Sequence, residues 1–211
     1  MALRIGCVVE GHGERESVPV LLRRVAESVD PGLVVDVPQP IRVPKSRLVK
    51  AGEIERAVEL AARKVGGGGA LFVLVDSDDD CPATLGPSML ARLAETRADF
   101  PAAVVVAKRE FESWFLAAAE SLRGCRGMPP DLTGPPDPET VRGSKEWLGA
   151  RMEEPGGYVE TLHQPAFTAV FDLAAARRAD SFDKCYRDVV RLIEILRGDP
   201  RLRFDRTPMT G

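Results

Sequence analysis

A mainly parallel, four-stranded α/β sheet flanked by helices, followed by a helical C-terminal extension, is the fold class this sequence predicts. Three observations carry it. Short apolar runs alternate with segments of helical periodicity up to about Glu110. One run, Ala70–Val75, is apolar on both faces, as a central parallel strand is. After Glu110 the strand pattern stops and helical spacing takes over.

The elements follow in order. Leu3–Val9 (LRIGCVV) reads as a buried strand. A turn with Gly11 and Gly13 leads into a helix whose apolar face is Val18, Leu21, Leu22, Val25 and Val29. Ser17 is its expected cap, with Pro19 in the first turn. Leu33–Val43 reads as one irregular strand, because Pro38 and Pro40 cannot donate to a ladder. Ile54, Val58, Ala61 and Val65 mark a second helix, stopped by Gly66–Gly69. Ala70–Val75 is the third strand, a helix is expected over Ser88–Ala98, and Ala102–Ala107 is the fourth strand. Phe111, Trp114, Phe115 and Ala118 then share a helical face. Gly124–Pro138 reads as a loop or lid, and Phe182 to Leu196 as a well-patterned final helix. The expected organisation is a core over 1–123, a loop or linker over 124–138, a helical extension packed on the core over 139–198, and a flexible tail over 199–211.

The totals narrow the class. Of 211 residues, 44% are apolar and 29% charged, as in a soluble globular protein. No apolar run approaches the ~20 residues of a membrane span. Met1–Glu10 is too short and too soon acidic for a secretory leader, so the cytoplasm is the expected location. The four cysteines are scattered without a C-x-x-C pair, which argues against a zinc ribbon or a disulfide framework. A net charge of −3 gives no overall attraction to nucleic acid, so such binding needs a local basic patch or bridging cations.

The chemistry gathers at strand ends. Ligands of open α/β sheets bind at the carboxyl ends of the strands. The first strand ends VVEGHGERE, with Glu10, Glu14 and Glu16. The third ends DSDDD, with Asp76, Asp78, Asp79 and Asp80. Residues i and i+2 of an extended chain point the same way, so Asp76 and Asp78 converge if the strand conformation persists. If the two strands are neighbours, Glu10, Asp76 and Asp78 crowd together. Two unit charges about 4 Å apart repel by ~4 kcal/mol at an effective dielectric of about 20. Such a group needs protonation, a basic partner or a metal, and oxygen donors without Cys or His favour Mg²⁺ or Mn²⁺. An acidic turn is, taken alone, an ordinary solvated loop or helix cap. Two acidic strand ends in one chain are harder to explain that way. KREFESWFLA adds a third source: Glu112 falls beside the apolar helical face, where a carboxylate is costly without a partner. Glu110, at the helix entrance, is the competitor, and the plain alternative is that Glu112 snorkels or pairs with Lys108 or Arg109.

Taken together, VEGHGERESVPVLL, VLVDSDDD and KREFESWFLA resemble the Toprim domain shared by topoisomerases, primases and overcoming-lysogenization-defect (OLD) nucleases. More closely, they resemble the domain-of-unknown-function 4276 family of Toprim-like proteins. REFESWFLA is the most specific piece and the isolated D-x-D the least. The resemblance implies a Toprim-like, Rossmann-like sheet. It implies that Glu10 is the catalytic glutamate and that Asp76 and Asp78 are the metal-binding pair. Glu14 and Glu112 would complete the set of metal ligands, for what are expected to be two Mg²⁺ or Mn²⁺ ions. A lysine near the scissile phosphate would be Lys145 or Lys184. The implied activity is phosphodiester hydrolysis of nucleic acid, DNA foremost, in concert with a separate ATPase in defence against foreign DNA. No G-x-x-x-x-G-K-[ST] motif occurs, so ATP hydrolysis by this chain alone is not expected. Tyr158 and Tyr186 sit in no context that marks a topoisomerase nucleophile. Basic residues available to the nucleic-acid backbone are Arg15, Arg23, Arg24, Lys45, Arg47, Lys50, Lys108 and Arg109, with Lys45, Arg47 and Lys50 the densest group. The alternative is a non-catalytic or regulatory Toprim-like module whose acidic site binds a metal or shapes a protein interface.

Overall fold

The structure is a computed structural model and describes residues 2–153 and 156–199. The expected flexible tail lies, from residue 200 on, outside the described residues.

Five strands form a parallel sheet: β1 (Leu3–Val9), β2 (Val35–Asp36), β3 (Ile41–Arg42), β4 (Ala70–Asp76) and β5 (Ala102–Ala107). The order is β2-β1-β4-β5, and β3 also pairs with β1. β4 occupies one edge of β1 along Ile5–Val9, so β2 and β3 share the other edge. The expected single strand over Leu33–Val43 is thus two short ones, and the sheet has five strands rather than four. The reason is the one that made the stretch irregular: the pair Pro38 and Pro40 interrupts the ladder between them.

Helices cover both faces. α1 (His12–Val29), α2 (Lys45–Leu48), α3 (Glu53–Val65), α4 (Pro82–Thr96), α5 (Ser113–Ala117), α6 (Ser144–Gly149), α7 (Glu160–Val170), α8 (Leu173–Ala176) and α9 (Asp180–Leu196) follow in chain order. The strands sort their side chains with a period of two. Ile5, Cys7 and Val9 of β1, Phe72 and Leu74 of β4, and Val105 of β5 face a core shared with α1, α7 and α9. Val8, Leu71, Val73, Val75, Val104 and Val106 face the opposite core, against α3 and α4. The C-terminal helices are therefore a layer of the same sheet. Aromatic packing ties them down: Trp114 lies 5.2 Å from Phe182, and Phe115 lies 5.5 Å from Phe171 and 5.7 Å from Phe167.

Three local expectations are revised. α1 starts at His12, capped at Gly11 rather than Ser17, and the Ser17 hydroxyl instead bonds Gln164 Oε1 at 3.0 Å. α4 starts at Pro82, six residues before the expected Ser88, and continues through Pro87. Gly86 is buried where α4 packs against β5. The Gly/Pro-rich stretch is no lid: Met128 and Leu132 are buried in it, and the Arg178 guanidinium binds the carbonyls of Pro135 and Pro136 at 3.0 and 2.8 Å.

The chain runs from β1 to one edge of the sheet and returns through α3 to β4 on the other side of β1. The direction of winding reverses between β1 and β4, which is where α/β sheets open a crevice at their carboxyl ends. Glu10 and Asp76 stand at those two ends.

Candidate acidic site at the carboxyl edge of the sheet

β1 and β4 are direct neighbours, with Val9 opposite Leu74, so the two acidic strand ends meet. Glu10 Oε2 accepts from the Asp76 backbone N–H at 3.3 Å. Asp76 is buried, and its Oδ1 accepts from the Phe111 N–H at 2.8 Å. Glu14, in the first turn of α1, is buried and accepts from the Gly11 N–H. Side chains at Gly11 and Gly13 would displace the site's own Glu14, Glu160 and Gln164. A Cβ on Gly11 would collide with Glu14 Oε2, and one on Gly13 would stand 2.5 Å from Gln164 Oε1.

Glu112 lies fully buried beneath the site, held there by the aromatic side chains around it in REFESWF. Its Oε1 accepts from the Tyr158 hydroxyl at 2.9 Å and from Gln164 Nε2 at 3.0 Å. Its Oε2 is buried with no hydrogen-bond partner. Glu110 lines the edge of the site, and its carboxylate accepts from the backbone N–H groups of Ser144 and Lys145 at 3.3 and 3.2 Å. Glu112 is thus the carboxylate embedded in the cluster, and Glu110 supports the start of α6.

Lys145 supplies the cation. Its Nζ donates to Glu160 Oε2 at 3.0 Å, and Glu160 Oε1 accepts from the Gly13 N–H at 2.9 Å. Lys184 does not join the site. It reaches from α9 to the Val104 carbonyl at 3.1 Å, in the middle of β5, and pairs with Asp188 at 2.5 Å.

The expected convergence of Asp76 and Asp78 is also revised. At Asp78 the chain leaves the extended conformation, with φ of 50°. Asp76 turns inward to Phe111, whereas Asp78 pairs with Lys45 Nζ at 2.5 Å at the rim. Lys45 also holds Asp80 at 3.2 Å and the Ser77 carbonyl at 2.8 Å, so it stitches the DSDDD loop together. The expected basic group is dispersed accordingly: Lys45 faces this loop, Arg47 pairs with Glu53 at 2.6 Å, and Lys50 is exposed.

A depression of about 410 Å³ opens over the cluster. Seven carboxylates line it (Glu10, Glu14, Asp76, Asp78, Glu110, Glu146 and Glu160) against two cations, Arg42 and Lys145. The imbalance is felt by the buried acids. Burial raises the pKa of Asp76 well above the ordinary aspartate value, and Glu112 and Glu14 add to the rise. Burial pushes Glu112 up to about 7. Glu10 is raised by burial, and Glu14 by burial and by Glu160. Burial disfavours charge on Lys145, but Glu112, Glu160 and Asp76 outweigh it and hold the ammonium protonated. Burial and then Glu112 raise the Tyr158 hydroxyl, which keeps it a donor.

The donor set suits a hard divalent cation: carboxylates only, with one buried oxygen left unpaired. The arrangement is not a closed shell. Among the described residues no three His, Cys, Asp or Glu side chains are grouped so as to hold a metal ion. Glu10, Glu14 and Asp76 each turn an oxygen to a backbone N–H instead. The fit is therefore one of charge and ligand chemistry, with side-chain rotation needed to complete it.

Sequence reasoning missed Glu160, Tyr158, Gln164 and Arg142. The first three come from α7 and the turn before it: Glu160 and Gln164 lie 147 residues from their partners Gly13 and Ser17, and Tyr158 meets Glu112. No local signal marks them. Tyr158, whose surroundings look ordinary in sequence, proves to be a direct partner of Glu112.

No described helix is long and apolar enough to cross a membrane. Comparison with curated proteins gave no match, and neither did comparison with solved structures. One family model matches, described as domain of unknown function (DUF4276), over residues 9–189. That span runs from the end of β1 into α9 and contains every residue of the acidic site, so the chain belongs to the DUF4276 family.

Proposed function

We propose that the protein is a Mg²⁺- or Mn²⁺-dependent phosphodiester hydrolase of Toprim type that acts on nucleic acid, with DNA as the expected substrate. The observation that carries this reading is the cluster of Glu10, Glu14, Asp76 and Glu112 around one lysine, at the crevice where the strand order reverses. Burial first, and the neighbouring carboxylates after it, hold these acids above their ordinary pKa values.

Divalent ions bound there would activate water and stabilise a leaving oxygen. Glu10, Glu14 and Asp76 would hold them, with Glu112 beneath and Asp78 at the rim. Tyr158 and Gln164 fix Glu112 through its Oε1 and leave Oε2 available. Lys145, anchored by Glu160, would face a phosphate oxygen and offset charge that develops on it. The kinship to Toprim domains and OLD nucleases, the separate ATPase partner and the role in defence belong to the same reading and rest on the motif resemblance.

A second reading is favoured by the backbone partners of the acids, since Glu10, Glu14 and Asp76 each already satisfy an oxygen with a main-chain N–H. In it the chain is a regulatory module that binds a cation without turnover. Nicking of supercoiled plasmid with Mn²⁺ decides between them. The hydrolase reading expects nicking by the wild type, abolished by EDTA and by Asp76→Asn and Glu10→Gln. Unchanged nicking in both variants overturns the site. Mn²⁺ binding by calorimetry without nicking of plasmid or linear DNA favours the regulatory module.

A further inference from the structure

Beside the acidic depression lies a second one of about 140 Å³, lined by Asp78, Asp79, Arg109, Glu110, Arg142 and Gly143. Asp78 and Glu110 line both, so the two are contiguous. Here two cations stand among three carboxylates, and two of those carboxylates are engaged elsewhere: Asp78 pairs with Lys45, and Glu110 accepts from the Ser144 and Lys145 N–H groups. Arg109 Nη1 and Arg142 Nη1 both donate to one oxygen, Asp79 Oδ1, at 2.6 and 2.8 Å. Two guanidinium groups converging on one oxygen match the way a tetrahedral oxyanion is held, and a phosphate would offer each fork further oxygens.

The backbone beneath is built to present this pair. Arg109 has φ of 68° and Asp78 has φ of 50°, both left-handed conformations uncommon outside glycine. The two turns brace each other: Asp78 N–H donates to the Arg109 carbonyl at 3.0 Å, and Arg109 N–H donates to Ser77 Oγ at 2.8 Å. A strained non-glycine residue persists only where its surroundings over-determine it, and such residues cluster at ligand clamps. Arg142 leads into the turn that carries Lys145, so one short segment supplies both a cation of the acidic site and a cation of the second depression.

Asp79 is an exposed occupant that a phosphate could displace. Its side chain is 73% exposed and that of Arg142 is 69% exposed.

We infer that Arg109 and Arg142 form a phosphate-binding subsite that seats a backbone phosphate of the substrate next to the one at the acidic site, and that Asp79 fills it as an internal stand-in until substrate displaces it. The inference rests on the hydrolase reading for the substrate's identity, but the subsite itself binds phosphate without any metal.

Two measurements test it. Inorganic phosphate is titrated in EDTA and followed by the NMR signals of the arginine side chains. If Asp79 fills the pair about nine-tenths of the time, Asp79→Asn tightens phosphate binding about tenfold. Arg142→Ala weakens it at least about tenfold, as loss of one charge-assisted fork does. Arg142 is the cleaner variant, because Arg109 also holds the Asp78 carbonyl at 3.0 Å. In parallel, cleavage of a fluorescein-labelled single-stranded oligonucleotide with Mn²⁺ is measured for the same proteins. Arg142→Ala raises KM with kcat little changed, as loss of uniform binding requires. Phosphate binding that is absent, or identical in wild type, Asp79→Asn and Arg142→Ala, overturns the subsite. If that happens while Asp76→Asn still abolishes cleavage, the hydrolase reading survives alone. Phosphate binding that responds to both variants, with no cleavage by any protein, leaves the subsite standing and removes the hydrolase.

Discussion

Two acidic regions lie side by side at the carboxyl edge of the sheet, and they are neutralised in opposite ways. The outer one, Asp78–Asp80, is exposed and matched one for one by cations: Lys45, Arg109 and Arg142. The inner one, Glu10, Glu14, Asp76 and Glu112, is largely buried and has Lys145 as its cation. Charge density alone does not separate them, since the outer run is the denser in sequence. Burial does. Exposed carboxylates are screened by water and satisfied by long mobile side chains, whereas buried ones lose solvation and are driven toward protonation or cation binding. The proposed hydrolase reading therefore rests on the inner group, and the outer group serves as its rim.

The largest test of this contrast is loss of activity. Asp76→Asn should abolish Mn²⁺-dependent cleavage, and Lys145→Ala should reduce kcat by about 10²–10³-fold, as loss of one preorganised charge donor does. Lys184→Ala, whose side chain binds the middle of β5, should stay within about twofold, a difference too small to reflect lost transition-state contacts. A Lys184 effect as large as that of Lys145 would reverse the assignment of the lysine.

Next in size is the effect of the phenol under the cluster. Tyr158→Phe leaves Glu112 Oε1 with Gln164 alone, and loss of such an outer partner should weaken Mn²⁺ binding or activity about 10–100-fold. Wild-type Mn²⁺ affinity in Tyr158→Phe would show that Glu112 is not part of the site.

The pH dependence of stability follows from Glu112. Its folded pKa, about 7, lies above its ordinary value of 4.5. The folded state therefore binds more protons than the unfolded state between those values. The stability associated with Glu112 is fully present below about pH 4.5 and is lost as the pH rises to about 7. The shift corresponds to about 3 kcal/mol, an order-of-magnitude figure. In denaturant titrations the wild type should lose metal-free stability across this window, and Glu112→Gln should lose markedly less. Mn²⁺ should restore wild-type stability most at the alkaline end. Parallel pH profiles for the two proteins would remove Glu112 as the source.

The smallest expected effect is at the outer loop. Asp80→Asn cuts one exposed arm of the Lys45 network and should shift Tm by no more than a few degrees, as surface ion pairs do. A larger shift would mean that the outer run is as critical as the inner one.

Much of the architecture was legible because it depends on local periodicity. Alternating β-branched runs located the strands, and i, i+3, i+4 spacing located α1, α3 and α9. Where proline intervened the reading slipped. Pro87 concealed the first turns of α4, which begins at Pro82 and runs through it. Pro38 and Pro40 concealed that one strand is two. At the site, Glu10 and Asp76 were legible as strand-terminal acids, and Glu112 as a carboxylate beside an aromatic face. Asp78 was misdirected by the i, i+2 rule, which fails once φ turns positive. Glu160 and Arg142 carry no local mark, since each matters through a partner distant in the chain.

The sequence by itself determined the strand–helix alternation, the two acidic strand ends and the aromatic segment that buries Glu112. Each depends on residues close in the chain and on the elementary preference of apolar side chains for the interior. Only the tertiary structure decided that β1 and β4 are neighbours, that Lys145 rather than Lys184 faces the acids, and that α7 closes over the Gly11–Gly13 turn. These are matters of distance between remote segments. Electrostatic and hydrogen-bonding energies depend on that distance and on the burial that accompanies it, and neither is written in the local order of residues.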